Sequence, residues 1–271
     1  GEWEMTATRV VKIPKLPDIV EPLLAARLLT IAAAPSVVAI IGPVGSGKTT
    51  LLNSLLNEMV ELWPYLRVSV VEQVMELVLP EGPNVARSRA GPEADVTTLV
   101  RQSTRYERPD VFVLGELRGE EIVSWIEVGR SGVPTLTTLH SPDILRAIRR
   151  MAALIRAAGV AVGEDREATA RDVLEVVDCF VVCRKYVVFD RVERGVEEVY
   201  LSDPVKRQLV PVFHMGLHAP DEQFLRALPR KGAEAYVGGR PEELYGELKR
   251  RYGAGGERVE ELEPLDLGEL F

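Results

Sequence analysis

A glycine-rich segment that ends in lysine and threonine is the part of this chain best suited to chemistry. The segment reads Gly42, Pro43, Val44, Gly45, Ser46, Gly47, Lys48, Thr49, Thr50. It fits G-x-x-x-x-G-K-[ST] and lies between an apolar run and a leucine-rich stretch, so a strand, a turn and a helix are expected in that order. Such a turn aims backbone amides at a polyphosphate, Lys48 adds a cation, and Thr49 places its hydroxyl on Mg²⁺. The motif predicts a nucleoside triphosphate site.

Carboxylates and one histidine follow neighbouring strands of the predicted fold. Glu116 ends the apolar strand after Asp110, Glu72 and Glu76 follow the strand before it, and His140 follows the strand after it. The carboxyl ends of parallel strands face the ligand crevice, so these side chains are expected to converge beside the glycine turn. A carboxylate at Glu116 could orient or deprotonate the attacking water, or hold a water of the Mg²⁺ shell.

Hydrolysis of a triphosphate also calls for positive charge at the γ-phosphate. The candidates are Arg101, Arg105, Arg108 and Arg118, since each lies close to the predicted Glu116 strand in sequence. A guanidinium suits this task because its planar donors pair with two phosphate oxygens and it stays charged. Arg105 is the first choice for an arginine finger, and whether it acts in its own subunit or the next is left open.

Composition excludes several classes of protein. The 271 residues carry a net charge of −8, which opposes a general attraction to nucleic acid or to an anionic membrane face. No apolar stretch approaches the roughly 18 residues of a membrane span, and the start lacks a signal-peptide layout, so a cytoplasmic location is expected. Cys179 and Cys183 are too few for a disulfide framework. Together with His214 and His218 they could form a metal site, but two core thiols are the favoured interpretation.

Strand and helix patterns alternate along most of the chain, which predicts an α/β fold with a mostly parallel sheet flanked by helices. Residues 80–93 interrupt this alternation as a loop, and strands are predicted at 9–13, 177–189, 196–201 and 208–213. The expected division is a linker or N-terminal remnant at 1–36, a core at 37–215, and a C-terminal helical extension at 216–271. The acidic end, residues 257–271, is interpreted either as a docking tail or as a solvated terminus.

Four ordered segments resemble the motor ATPases of type II and type IV secretion and pilus systems. They are the glycine turn at 42–50, the acidic segment at 71–77, the Arg-Pro-Asp and Gly-Glu segment at 108–121, and the histidine segment at 132–141. The resemblance implies a RecA-like core that binds ATP and Mg²⁺ and forms a homo-oligomeric ring, a hexamer, at the cytoplasmic face of the inner membrane on a platform protein. It also implies that Glu116 acts on the lytic water, that Glu72 and Glu76 organise water and metal, and that His140 senses the γ-phosphate.

Two departures from that family keep other functions open. Gln73 stands where members usually carry aspartate, and most of their N-terminal domain cannot fit into residues 1–41. The chain is therefore expected to be either the catalytic part of a longer motor or a reduced relative. The alternatives are a nucleic-acid translocase or branch-migration motor on the same core, and a nucleotide-binding regulator with little turnover.

Overall fold

The computed structural model describes residues 13–79, 84–158, 166–229 and 237–268, with the backbone alone described for 166–169. The helices in these ranges are α1 (Leu16–Ile19), α2 (Pro22–Ala33), α3 (Lys48–Leu62), α4 (Val96–Gln102), α5 (Glu121–Arg130), α6 (Ile144–Ala157), α7 (Arg166–Val176), α8 (Asp221–Ala227) and α9 (Pro241–Tyr252). The strands are β1 (Val37–Gly42), β2 (Val68–Glu72), β3 (Val85–Arg89), β4 (Val111–Leu114), β5 (Thr135–His140), β6 (Cys179–Val188), β7 (Arg191–Asp203), β8 (Gln208–His214), β9 (Leu217–His218) and β10 (Leu265–Asp266). A π-helical turn, Ser103–Glu107, joins α4 to β4.

All of these strands belong to one sheet, in the order β10-β8-β7-β6-β1-β5-β4-β2-β3, with β9 paired to β8. Strands β1 to β6 pair in parallel, whereas β7, β8, β9 and β10 join antiparallel. The central strands β1, β2, β4 and β5 are buried along almost their whole length because helices cover both faces, as in α/β sheets generally. The predicted α/β class with a mostly parallel sheet is confirmed.

Each face of the sheet has its own hydrophobic core. Helices α2, α3 and α9 pack on one face around Leu52, Ile40 and Leu248, while α5, α6 and α7 pack on the other around Trp125 and Met151. Each strand contributes alternate residues to the two cores, because successive side chains point to opposite faces of the sheet. Packed between these two helix layers, the sheet holds the carboxyl ends of β1, β2, β4 and β5 in one row.

Helix α2 is bound to the C-terminal part of the chain through a buried arginine. The Arg27 side chain is fully buried and donates hydrogen bonds to the carbonyls of Val212 and Ala219, to the Tyr245 hydroxyl and to Asp221. Buried charges are stable only when they are paired and hydrogen-bonded, and Arg27 meets both conditions. The helix thus belongs to the same packed body as α8 and α9, and the proposed division at 1–36, 37–215 and 216–271 stays a prediction.

The described part of the acidic end lies against its own chain, which argues against a free, solvated terminus, while the docking-tail interpretation stays a prediction. The Glu257 carboxylate accepts a hydrogen bond from the Leu23 amide, the backbone amide of Glu260 donates one to the His218 carbonyl, and β10 pairs with β8. Leu267 is fully buried. An interleaving of leucines with carboxylates therefore marks a half-buried edge here, while residues 269–271 lie outside the described residues.

Two predicted segments differ from the observed elements. The predicted loop at 80–93 contains the edge strand β3, which pairs in parallel with β2. The polar sequence of β3 did not indicate a strand. Strand β7 begins at Arg191 rather than at 196, because it forms a long hairpin with β6. The predicted strand at 9–13 lies outside the described residues except for Ile13, which is not in a strand. Within the described ranges no helix has the length and apolar character to span a bilayer.

Candidate functional site

The glycine turn forms an open cradle between β1 and α3. Gly45 and Gly47 adopt positive φ angles of 73° and 94°, a conformation that glycine reaches without steric cost. A Cβ on Gly42 would collide with the carbonyl oxygen of Cys183 on β6, so this position also requires glycine. The turn delivers backbone amides to the start of α3, where the helix dipole favours an anion.

Lys48 is buried at the base of this cradle. Its ammonium group donates to the carbonyls of Gly42 and Pro43, each at 2.9 Å, and lies 3.0 Å from Nδ1 of His140. Burial lowers the pKa of Lys48, with nearby negative groups such as Glu116 opposing that shift. A bound polyphosphate would offset the desolvation cost of the Lys48 ammonium group, because it offers this cation an anionic partner.

A second polar group in the cradle lacks any partner within the protein. The Ser46 hydroxyl is buried and makes no hydrogen bond with the described residues. Leaving a buried hydroxyl unpaired is costly, so its position beside Lys48 fits a ligand that supplies an acceptor. Together with the glycine cradle, it supports the prediction that residues 42–50 bind phosphate.

His140 links the cradle to the predicted lytic-water acid. The register of β1 with β5 pairs Gly42 with His140, which places the imidazole directly beside Lys48. On its other side, Nε2 of His140 lies 3.3 Å from Oε1 of Glu116. The three side chains Lys48, His140 and Glu116 therefore form a continuous line of contacts across two strands.

The two carboxylates after β2 have different roles. Glu72 is buried, and its Oε1 accepts from the amides of Glu76 and Leu77 at 3.0 Å each, while Arg87 lies 3.3 Å from Oε2. Glu72 is thus a positioning residue that shapes the 73–77 segment. Glu76 is exposed and accepts from the Thr49 hydroxyl at 3.2 Å.

The donor set fits a magnesium ion held together with phosphate. Mg²⁺ prefers oxygen ligands and keeps several waters, so one or two protein groups suffice when phosphate oxygens complete the shell. The Thr49 hydroxyl, the Glu76 carboxylate and, through water, Glu116 would hold it beside the cradle. The cleft that they border has a volume of about 710 Å³, which suits a nucleotide.

The β6–β7 hairpin covers the cradle with two basic side chains that the sequence analysis did not identify. The register pairs Lys185 with Arg194, and Nε of Arg194 donates to the Gly45 carbonyl at 2.8 Å. The Lys185 ammonium lies 3.8 Å from the position of an added Cβ on Gly45. Two cations therefore stand above the phosphate position. No local motif marks them, because the antiparallel return of β7 alone brings Arg194 across the sheet.

Arg105, the predicted arginine finger, lies away from the nucleotide cleft of its own chain. Arg105 is exposed in the π-helical turn that precedes β4, and the residues around that turn border a different pocket at the amino edge of the sheet. Arg118 is the arginine beside Glu116, where it makes an ion pair with that carboxylate and donates to the Gln73 side chain at 3.4 Å. A role for Arg105 at the triphosphate would need a neighbouring copy, so it stays a prediction.

The alternative metal site of two cysteines and two histidines finds no support. No cluster of three or more histidine, cysteine or carboxylate side chains with metal-binding geometry occurs among the described residues. Burial raises the pKa of Cys183 to about 12 and raises that of Cys179 as well, which opposes the thiolate forms that bind metals. His218 instead contacts Glu21 at 2.7 Å.

Known proteins share this architecture. VirB11 from Agrobacterium fabrum is 30% identical over 144 residues, which cover 49% of this chain and 41% of that protein. The crystal structure of the Brucella suis VirB11 ATPase with sulphate matches with a TM-score of 0.55 at 29% identity, covering 66% of this chain and 51% of the other. The Legionella pneumophila ATPase DotB matches with a TM-score of 0.56 at 23% identity over 90% and 59% of the two chains, which supports the fold alone.

The match to VirB11 thus spans less than half of that relative's length. The family described as type II/IV secretion system protein matches residues 18–176, more than half of this chain, and includes the cradle, the acids and the histidine described above. The chain belongs to the type II/IV secretion system protein family.

Proposed function

We propose that this chain is the catalytic core of an ATP-hydrolysing motor for protein secretion or pilus assembly. The observation that carries the proposal is the unbroken line from Lys48 through His140 to Glu116 beside a phosphate cradle. Such a line connects the group that touches the terminal phosphate with the group that would act on water. Membership of a secretion family supplies the biological context.

Each residue then has a defined task. Lys48 exchanges the carbonyls of Gly42 and Pro43 for oxygens of ATP, and the free Ser46 hydroxyl and the backbone amides complete the cradle. Glu116 orients the lytic water and accepts its proton. The contact between His140 and Lys48 is kept or broken depending on which phosphate is bound. The contact between His140 and Glu116 therefore changes with the nucleotide state. Magnesium held by Thr49 and Glu76 would neutralise phosphate charge.

The surrounding assembly is part of the same proposal. The motor works as a homo-oligomeric ring, a hexamer, at the cytoplasmic face of the inner membrane, where it moves a platform protein. Arg105 is exposed and distant from its own cleft, so we assign it to the cleft of the adjacent copy as a finger in trans.

The decisive test compares ATP turnover and nucleotide affinity in three variants. Glu116→Gln is expected to keep affinity and to lose about 10²-fold or more in turnover, because the amide cannot accept the water proton. Lys48→Ala is expected to lose affinity. The matched control Glu120→Gln alters an exposed carboxylate four residues away and should behave as wild type. Turnover of Glu116→Gln equal to wild type would reject the assignment of the acid.

The same assay separates the alternative functions. Hydrolysis that depends on added single- or double-stranded DNA would support a nucleic-acid translocase, which the net charge of −8 disfavours. ATP binding without turnover in the wild type would support a regulator, consistent with Gln73 beside Arg118. Mass measurement with and without ATP tests the ring, and the hexamer assignment fails if the chain stays monomeric under both conditions.

A further inference from the structure

A second pocket lies at the amino edge of the sheet, away from the glycine cradle. It has a volume of about 450 Å³ and opens between α4, α5 and the segments that lead into β2, β4 and β5. We call it the arginine pocket. The residues that line it are Arg67, Val100, Arg101, Thr104, Arg108, Pro109, Ser124, Glu127, Val128, Ser131 and Val133.

Positive charge dominates the lining of the arginine pocket. Three guanidinium groups face it against one carboxylate, Glu127. Asp110 satisfies Arg67 with a two-point contact at 2.8 and 3.1 Å. Among the described residues no salt bridge joins Arg101 or Arg108 to a carboxylate, and a longer-range attraction to Asp95 acts on Arg101, so both guanidinium groups can still pair with an anion.

A buried hydroxyl also points to a missing ligand. Ser124 is 1% exposed, borders the arginine pocket, and its Oγ makes no hydrogen bond with the described residues. A serine inside a helix ordinarily satisfies its hydroxyl on a carbonyl of the preceding turn. Ser124 does not, and its hydroxyl has almost no accessible surface, so a molecule in the pocket gains this donor once the covering side chains shift.

The backbone around Arg108 is held in an uncommon conformation. Arg108 has φ 46° and ψ 62°, in the left-handed region that side chains other than glycine seldom adopt. It directly follows the π-helical turn Ser103–Glu107, and both features are frequent at ligand-binding positions. They place Arg101 and Arg108 on the same pocket, although seven residues separate them in sequence.

We propose that the arginine pocket binds a small ligand that carries an oxyanion, either a phosphate ester or a carboxylate. The planar donors of Arg101 and Arg108 match two oxygens of such a group, and Ser124 offers a third donor. Val100, Val128 and Val133 form an apolar wall for the remainder of the ligand. A cavity of about 450 Å³ lies within the usual range for small-molecule sites.

The test uses the full chain with Lys48→Ala, so that the glycine cradle does not capture the probe. Phenyl phosphate and benzoate, which share an apolar ring and differ in the anion, are titrated by calorimetry or by nuclear magnetic resonance. Saturable binding of either probe at one site per chain is expected, and the tighter probe identifies the anion. Adding Arg101→Gln or Arg108→Gln should weaken binding by about tenfold or more, since a charge-assisted hydrogen bond is lost.

Two further variants make the result specific. Ser124→Ala should weaken binding several-fold, whereas Arg130→Gln, an exposed arginine at the end of α5 outside the pocket, should leave it unchanged. Circular dichroism establishes that each variant is folded. The proposal is overturned if neither probe saturates up to about 10 mM, which corresponds to negligible affinity, or if both arginine variants bind as tightly as the parent.

Discussion

Gly115→Ala tests how closely the acidic segment is packed against the strand that carries Glu116. A Cβ at Gly115 would lie 2.8 Å from Cγ of Glu72. Carbon atoms in ordinary contact are about 3.5–4.0 Å apart, so the Glu72 side chain would have to move by roughly 0.7–1.2 Å. It cannot move freely, because the amides of Glu76 and Leu77 and the guanidinium of Arg87 hold its carboxylate.

Two magnitudes follow from this collision. Overpacking a buried position typically costs about 1–3 kcal/mol, which we expect to see as a lower free energy of unfolding in urea titrations. A displacement of about 1 Å in catalytic geometry can cost about 10²-fold, which we expect in the ATP turnover number. Gly246→Ala is the matched control, because that glycine lies inside α9 with open space at its Cβ and the change should stabilise the helix by about 0.5–1 kcal/mol.

A double mutant isolates the steric cause. Glu72→Ala removes the Cγ atom that the new methyl group meets, so adding Gly115→Ala in that background should cost less than about 0.5 kcal/mol. The coupling energy between the two positions then equals most of the single-mutant loss. The reasoning is refuted if Gly115→Ala costs the same in both backgrounds, or if it changes neither unfolding nor turnover in the wild type.

Two further predictions concern the network that ties α2 to the C-terminal elements. Arg27→Met should lower the free energy of unfolding by about 2–4 kcal/mol, because the buried carbonyls of Val212 and Ala219 lose their donor while Asp221 keeps Lys249 and Tyr245. The exposed Arg226→Met should change it by less than about 0.5 kcal/mol, and equal urea midpoints would contradict this. Burial lowers the pKa of His218 below 6.5 although Glu21 opposes the shift. The unfolded chain therefore binds a proton at this position more readily, so the associated stability is present above pH 6.5 and is lost as the pH falls below it. His218→Gln should accordingly lose less stability than wild type between about pH 7 and about pH 5, measured by urea unfolding at each pH, and parallel curves would count against it.

The chemistry of the cleft was predictable because it rests on local patterns. The cradle at 42–50 is a contiguous motif, Glu116 follows an apolar run, and His140 follows a run of threonine and leucine; both runs predict a strand. Parallel strands present their carboxyl ends on one edge, so these residues could be placed together before any contact was known. The structure brings Lys48, His140 and Glu116 into contact as that rule requires.

Contacts made across the sheet were decided by the tertiary structure alone. Arg194 reaches the cradle only because β7 returns antiparallel to β6, and the polar strand β3 exists because β2 offers it a pairing edge. Glu72 orders the 73–77 loop through the amides of Glu76 and Leu77 and also borders the cleft, so its role toward water and metal stays a prediction. Local sequence encodes strand ends and turns, but register and antiparallel returns depend on long-range packing, whose energies no short motif contains.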